Sequence, residues 1–259
     1  MRLAMSAVYP DLAGKTAFVT GGSKGIGAAT CRLLAANGVK VAVVARGTEA
    51  AEQLAAELRE GGTEAIALAA DCAQADAVEA ASRQAVEQLG PVDLLVAFAG
   101  GFESFTPVAE MTLEEWRQVI DDNLTSTFAT VRAFLPDMIE RRSGSIVTMS
   151  SISARFLDKL TQAAYAAAKG GVILFTRHLA IEVGGHGIRA NCVAPGTTLS
   201  ERIERVMDDA AIERTSLMSP LRRLGLPGDT ANATVFLLSD AASWLTGVTI
   251  DVNGGRVML

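Results

Sequence analysis

Tyr165 and Lys169 stand four residues apart in the alanine-rich run Tyr165-Ala-Ala-Ala-Lys169. In a helix that spacing puts both side chains on one face, one turn apart. A phenol beside an ammonium is a proton-transfer device, because the cation favours the phenolate. One charge about 4 Å away at an effective dielectric of about 20 supplies at most roughly 4 kcal/mol, which brings a tyrosine from near 10 into working range of neutral pH. Taken alone, the pair also fits a packed ring with a solvated amine, so its meaning depends on what surrounds it. Other chemistries have little material. There are two histidines, His178 and His186, too few for a His-based triad or metal site. Cys31, Cys72 and Cys192 show neither zinc spacing nor CxxC and read as small apolar filler.

Seven apolar runs of strand length are available to position the pair: Thr16–Thr20, Val39–Ala45, Glu64–Ala69, Val92–Phe98, Ser145–Ser150, Ile188–Val193 and Val248–Val252. Amphipathic stretches such as Glu49–Glu60 and Ala75–Leu89 alternate with them. Strands that are apolar throughout, rather than on alternate residues, are covered by helices on both faces. Strand–helix alternation with right-handed crossovers predicts an α/β fold, one doubly wound Rossmann domain over 1–259 with a seven-stranded parallel sheet. Asn37-Gly38 and Gly61-Gly62 are helix stops, and Thr112-Leu-Glu-Glu115 is a capping box that starts a long helix.

The chain is 49% hydrophobic with a net charge of −6, a balance that suits a full core and argues against nucleic acid or a polybasic membrane contact as partner. No apolar run reaches the roughly 18 residues of a membrane span. Met1–Pro10 has no continuous apolar segment of signal-peptide length, so the expected setting is the cytoplasm.

Between the first strand and the first helix lies Thr20-Gly21-Gly22-Ser23-Lys24-Gly25-Ile26-Gly27. Gly21, Gly25 and Gly27 let the backbone turn tightly and approach a pyrophosphate, which then meets the helix N-terminus. Placed after the first strand of a doubly wound fold, this turn reads as a nucleotide site rather than a plain turn.

The turn together with Tyr165xxxLys169 resembles the short-chain dehydrogenase/reductase family in its single-domain form, over nearly the whole chain. The resemblance extends to Asp71, Asn123 in Asp122-Asn-Leu-Thr, Ser151 in Met149-Ser-Ser-Ile, and Asn191-Cys-Val-Ala-Pro195-Gly196. It continues through Arg223–Asp229 and Phe236–Asp240 to Asp251-Val-Asn-Gly-Gly255.

It implies a nicotinamide-dependent oxidoreductase with Asn123, Ser151, Tyr165 and Lys169 as catalytic residues. Tyr165 would be general acid in carbonyl reduction and base in reverse. Lys169 would lower its pKa and bind the nicotinamide ribose. Ser151 would donate to the substrate oxygen, and Asn123 would hold a water leading to Lys169. Ser150 and Ser153 compete for the serine role. Ser151 is preferred because it ends the fifth strand, where parallel-sheet sites lie.

The implied cofactor contacts begin with Gly21, Ser23, Lys24, Gly25, Ile26 and Gly27. Asp71, at the adenine, and Cys72 follow the third strand, and Ala99 and Gly100 follow the fourth. Pro195, Gly196 and Thr198 flank the nicotinamide, with Tyr165 and Lys169. In dinucleotide folds an acid ending the second strand selects NAD, and an Arg there accommodates a 2′-phosphate. Here Arg46 ends that strand, and Lys24 adds a second cation in the turn, so the expected cofactor is NADP(H).

Two places depart from the family pattern. Ala97-Phe98-Ala99-Gly100 stands where Asn-Asn-Ala-Gly is usual, removing an Asn that helps steady the central sheet. Ser151 precedes Tyr165 by fourteen residues rather than the commoner thirteen, which predicts a one-residue insertion within Ile152–Ala164.

Residues 197–220 are expected to form a helical lid, with Met207, Leu217 and Met218 lining either a pocket or the lid's own packing. Phe102 and Phe105 lie at the same sheet edge. The layout is most similar to 3-oxoacyl-acyl-carrier-protein reductases, with a sugar or steroid alcohol dehydrogenase or a non-catalytic NADP sensor as alternatives. The resemblance also implies a homotetramer built on Thr112–Arg142, Gln162–Val183 and the last strand.

Overall fold

The structure is a computed structural model that describes residues 7–102, 105–157 and 161–258, without the Arg202 side chain. Seven parallel strands form one sheet in the order β3-β2-β1-β4-β5-β6-β7. They are β1 (Thr16–Thr20), β2 (Lys40–Ala45), β3 (Ala65–Ala69), β4 (Leu94–Ala97), β5 (Gly144–Met149), β6 (Ile188–Pro195) and β7 (Thr249–Val252). The strand order reverses between β1 and β4, which opens a crevice at the strands' carboxyl ends.

The apolar runs bury both faces. Val19, Val43, Val96, Val147 and Val193 enter one core with α1 (Gly25–Ala36), α2 (Thr48–Glu60) and α9 (Pro227–Leu238). Their neighbours Phe18, Val44, Leu95 and Ile146 enter the other, with α3 (Ala75–Leu89), α5 (Ser126–Arg141) and α6 (Ala163–Val183). This is the two-residue alternation of a strand.

The helix stops fall where the glycines predict. Gly38 and Gly62 take φ of 76° and 87° just past α1 and α2. At the start of α4 (Leu113–Ile120), the Glu115 N–H donates to Thr112 Oγ1 at 3.1 Å, and the Thr112 N–H donates to Glu115 Oε2 at 2.8 Å.

The single long helix expected over Thr112–Arg142 is instead α4 and α5 joined by a π turn, Asp121–Thr125. The Ser126 and Thr127 hydroxyls return to the carbonyls of Asp122 and Asn123, at 2.7 and 2.9 Å. Side chains thus serve carbonyls that the wider turn disturbs. Residues 197–220 carry α7 (Glu201–Val206) and α8 (Asp209–Leu217). Of the predicted insertion within Ile152–Ala164, residues 158–160 lie outside the described residues.

Candidate functional site

Every candidate residue follows the carboxyl end of a strand or sits on a helix facing that edge. The glycine turn leaves β1 at the switch point. Gly21 has φ 64°, and a Cβ there would lie 2.8 Å from the Phe98 carbonyl oxygen. A Cβ on Gly27 would lie 2.0 Å from the Gly21 carbonyl oxygen. The turn therefore closes on itself and on β4 through hydrogen-only positions. At Lys24, the α1 N-cap, no side chain caps the helix, so its first N–H groups are left for a ligand. The residues fit a pyrophosphate: a cradle that side chains would fill, set on an uncapped helix start.

Lys24 and Arg46 are both exposed, and among the described residues neither forms an ion pair. Lys24 lines an open cavity of about 450 Å³ with Ser23, Arg32, Glu49, Glu57 and Glu201. Arg32 is engaged there by Glu57, both contacts at 2.7 Å, which lowers the Glu57 pKa. Beyond β3, Asp71 Oδ1 accepts from the Ala73 N–H at 3.1 Å. Cys72 turns inward against Val78 and Ala129, and burial pushes its thiol up to about 12. Only its main chain is left to meet a ligand.

Beyond β4, the main chain is tied to β1. Thr20 Oγ1 accepts from the Phe98 and Ala99 N–H groups at 3.0 and 3.2 Å, and Phe98 fills the core. Gly100 and Gly101 follow with φ of 140° and 148°. Asn123 is fully buried. Its Oδ1 accepts from the Gly101 N–H at 2.8 Å, and its Nδ2 donates to the carbonyls of Gly101 and Val119 at 2.7 and 2.9 Å. Its amide thus clasps the β4 loop.

Three serines compete at the end of β5. Ser150 donates its hydroxyl to the Lys169 carbonyl at 2.8 Å and is committed there. Ser151 Oγ accepts from the Ser153 N–H at 3.1 Å, and its own O–H makes no hydrogen bond among the described residues. That proton is the one left to give away. The Lys169 ammonium donates to the Met149 carbonyl at 2.9 Å and lies 5.6 Å from the centre of the Tyr165 ring. Burial lowers the Lys169 pKa to about 8, and Cys192 acts weakly the other way, so the group is still mainly cationic at neutral pH.

Around this centre, Thr198 Oγ1 donates to the Gly196 carbonyl at 3.1 Å, and Gly196 packs on Asn253. Ile26 packs against the first core. Met207 is half-buried, while Leu217 and Met218 are exposed. The segment after β5 is tied to β7 by Arg155 Nε, 3.2 Å from Asp251 Oδ1, both largely buried and misaligned for a hydrogen bond. Burial raises the Asp251 pKa, and Arg155 opposes it.

The sequence reading missed the Met149 carbonyl, the clasp on Gly101 and the tie from Thr20. The first two are main-chain atoms and carry no residue signature. The third had a signal, a polar residue closing an otherwise apolar strand. Among the described residues there is no cluster of three or more metal-ligating side chains, and no helix is long and apolar enough to cross a membrane.

A Rossmann sheet with a phosphate turn at its switch point and a Tyr–Lys–Ser group beside it defines an oxidoreductase acting on CH–OH and C=O groups. A family model described as short chain dehydrogenase matches residues 15–211, and the chain belongs to that family. It is 39% identical to the 3-oxoacyl-[acyl-carrier-protein] reductase FabG of Staphylococcus aureus over 94% of this chain and 98% of that protein. It is 37% identical to 3beta-hydroxysteroid dehydrogenase 1 of Eggerthella lenta over 97% of each. A solved 3-oxoacyl-[acyl-carrier protein] reductase of Brucella melitensis with bound NAD has a TM-score of 0.89 and 32% identity, covering 100% of this chain and 99% of that one.

Proposed function

We propose that the protein is an NADPH-dependent carbonyl reductase whose substrate is a 3-oxoacyl thioester. The observation that carries the reading is the Tyr165–Lys169 pair on α6, its ammonium buried and tied to the end of β5, where the Ser151 hydroxyl has no acceptor among the described residues. The substrate class is supported by 39% identity over nearly full length to an enzyme named for that reaction. NADPH is supported by two exposed cations without ion pairs among the described residues, Lys24 and Arg46, where a 2′-phosphate would lie.

The bound nicotinamide would supply the hydride, and the chain's residues supply geometry, charge and the proton. The glycine turn and the start of α1 would hold the pyrophosphate. Ser151 donates a hydrogen bond to the ketone oxygen, where negative charge gathers. Tyr165 delivers its proton to the same oxygen, a contribution of about 10²–10⁴-fold. Lys169 steadies the phenolate that remains. Asn123 fixes the loop after β4 through its side chain, and its carbonyl, which already accepts from Thr127, has a second lone pair that would meet a water leading to Lys169. Residues 197–220 cover the substrate.

Tyr165→Phe is expected to nearly abolish NADPH oxidation while NADPH still binds. Retained turnover would remove the residue from its role. A second reading, a steroid alcohol dehydrogenase, is favoured by the 37% identity to the Eggerthella enzyme. A panel of 3-oxoacyl thioesters, sugars and 3-oxosteroids, read by NADPH oxidation, separates the two. Tight NADPH binding without turnover of any of them would indicate a sensor.

We also infer a homotetramer. Exposed Leu113, Trp116, Phe128, Leu174 and Ile181 on α4, α5 and α6 support it, and sedimentation tests it.

A further inference from the structure

The ring of Phe102 lies against the ring of Tyr165, with centroids 4.7 Å apart and planes inclined by 48°. Phe102 is placed there by the two residues before it. Gly100 and Gly101 take φ of 140° and 148°, a region that side chains disfavour. Gly101 is held at both of its main-chain polar atoms by the Asn123 amide, at 2.8 and 2.7 Å. A Cβ on Gly100 would lie 2.5 Å from Asn123 Oδ1, so the clasp fits only a glycine there. Asn123 is itself pinned through Val119 and has no exposed surface. A continuous set of contacts therefore runs from the π turn through Asn123 and Gly101 to Phe102 and the Tyr165 ring.

We propose that Phe102 is a positioning residue for Tyr165: its ring fixes the orientation of the phenol and keeps water from the side it covers, and the Asn123–Gly101 clasp sets it in place. This rests on Tyr165 being the general acid. Among the described residues the charged group against Tyr165 is Lys169 on the same helix, and behind Lys169 stands the buried Cys192 thiol of β6.

Tyr9 and Tyr165 are the only two tyrosines, so in a Tyr9→Phe background tyrosinate absorbance reports on Tyr165 alone. In that background Phe102→Ala is expected to lower kcat roughly ten- to a hundredfold, with NADPH Kd changed by no more than about twofold. The tyrosinate midpoint is expected to fall by about one pH unit, because water reaching the ring favours the phenolate. Phe102→Leu, apolar but without a ring, should restore much of kcat and guards against a fold defect in the alanine variant. Unchanged kcat and midpoint in both variants, with Tyr165→Phe inactive, would overturn the positioning role and leave the proposed reaction standing. A loss of kcat with no movement of the midpoint would overturn it equally, since a merely structural ring gives that result. An active Tyr165→Phe enzyme would instead overturn the reaction on which the inference rests.

Discussion

Lys169 donates its ammonium to the carbonyl of Met149, and the hydroxyl of the next residue, Ser150, donates back to the Lys169 carbonyl. This two-way tie fixes α6 on the end of β5. It also buries a cation, and burial lowers the Lys169 pKa to about 8 from an ordinary value of 10.5. The folded state therefore binds this proton less tightly than the unfolded state. Below pH 8 the penalty is fully present; it shrinks between pH 8 and 10.5 and vanishes above.

Lys169→Met keeps the length of the side chain and removes the charge. At pH 7 that relieves about 3 kcal/mol and leaves the Met149 carbonyl without its donor, at a cost of about 1–3 kcal/mol, a net gain of at most about 2 kcal/mol. The variant is expected to unfold at higher urea concentration than the parent at pH 7 while losing turnover. The margin should narrow as pH rises toward 10. A variant less stable at pH 7, or a margin independent of pH, would contradict the assignment of a buried, strained ammonium.

Gly25 and Gly27 lie two residues apart in the turn but are required for different reasons. At Gly27 a Cβ would meet the Gly21 carbonyl at 2.0 Å, and a main-chain atom cannot swing aside. Gly27→Ala is expected to cost about 3 kcal/mol and to abolish measurable NADPH binding. At Gly25 the nearest atom is Ser200 Cβ at 3.9 Å, so space is ample and only the φ of 52° resists. Gly25→Ala is expected to cost about 1 kcal/mol and to fold normally. Thermal melts and NADPH titrations of the two variants should rank them in that order.

This contrast also marks what was legible in the sequence. The strands, helix stops, capping box and glycine turn were readable because each depends on local residue types: apolar runs, glycines past helix ends, a Thr–Glu pair. Tyr165, Lys169 and Ser151 were singled out because their order and spacing resemble a family, and the structure sets the Lys169 ammonium by the Tyr165 ring. The π turn was not, because the hydroxyls of Ser126 and Thr127 act on carbonyls one turn back without any break in helical composition. Nor was the tie across the central sheet, where Thr20 on β1 serves the main chain of Phe98 and Ala99 just past β4, far along the chain. Contacts of side chain to distant main chain leave no spacing to read.

Cofactor choice turns on the charges around the second strand. Arg46 can face a phosphate with two parallel N–H groups, whereas Lys24 offers a point charge. The nearby Arg32 is already satisfied by Glu57 and should contribute little. Arg46→Asp removes the fork and adds a repelling carboxylate, so kcat/KM with NADPH is expected to fall about 10- to 100-fold while NADH is used no worse. Lys24→Ala should cost less than Arg46→Asp, and Arg32→Ala should leave the NADPH-to-NADH ratio unchanged. Because both cations are exposed, added salt should weaken NADPH binding more than NADH binding. Steady-state kinetics with both nucleotides at two ionic strengths checks all of these together. A higher kcat/KM with NADH than with NADPH in the unaltered protein would mean that Arg46 and Lys24 are solvated surface charges and that the 2′-phosphate is not what they hold.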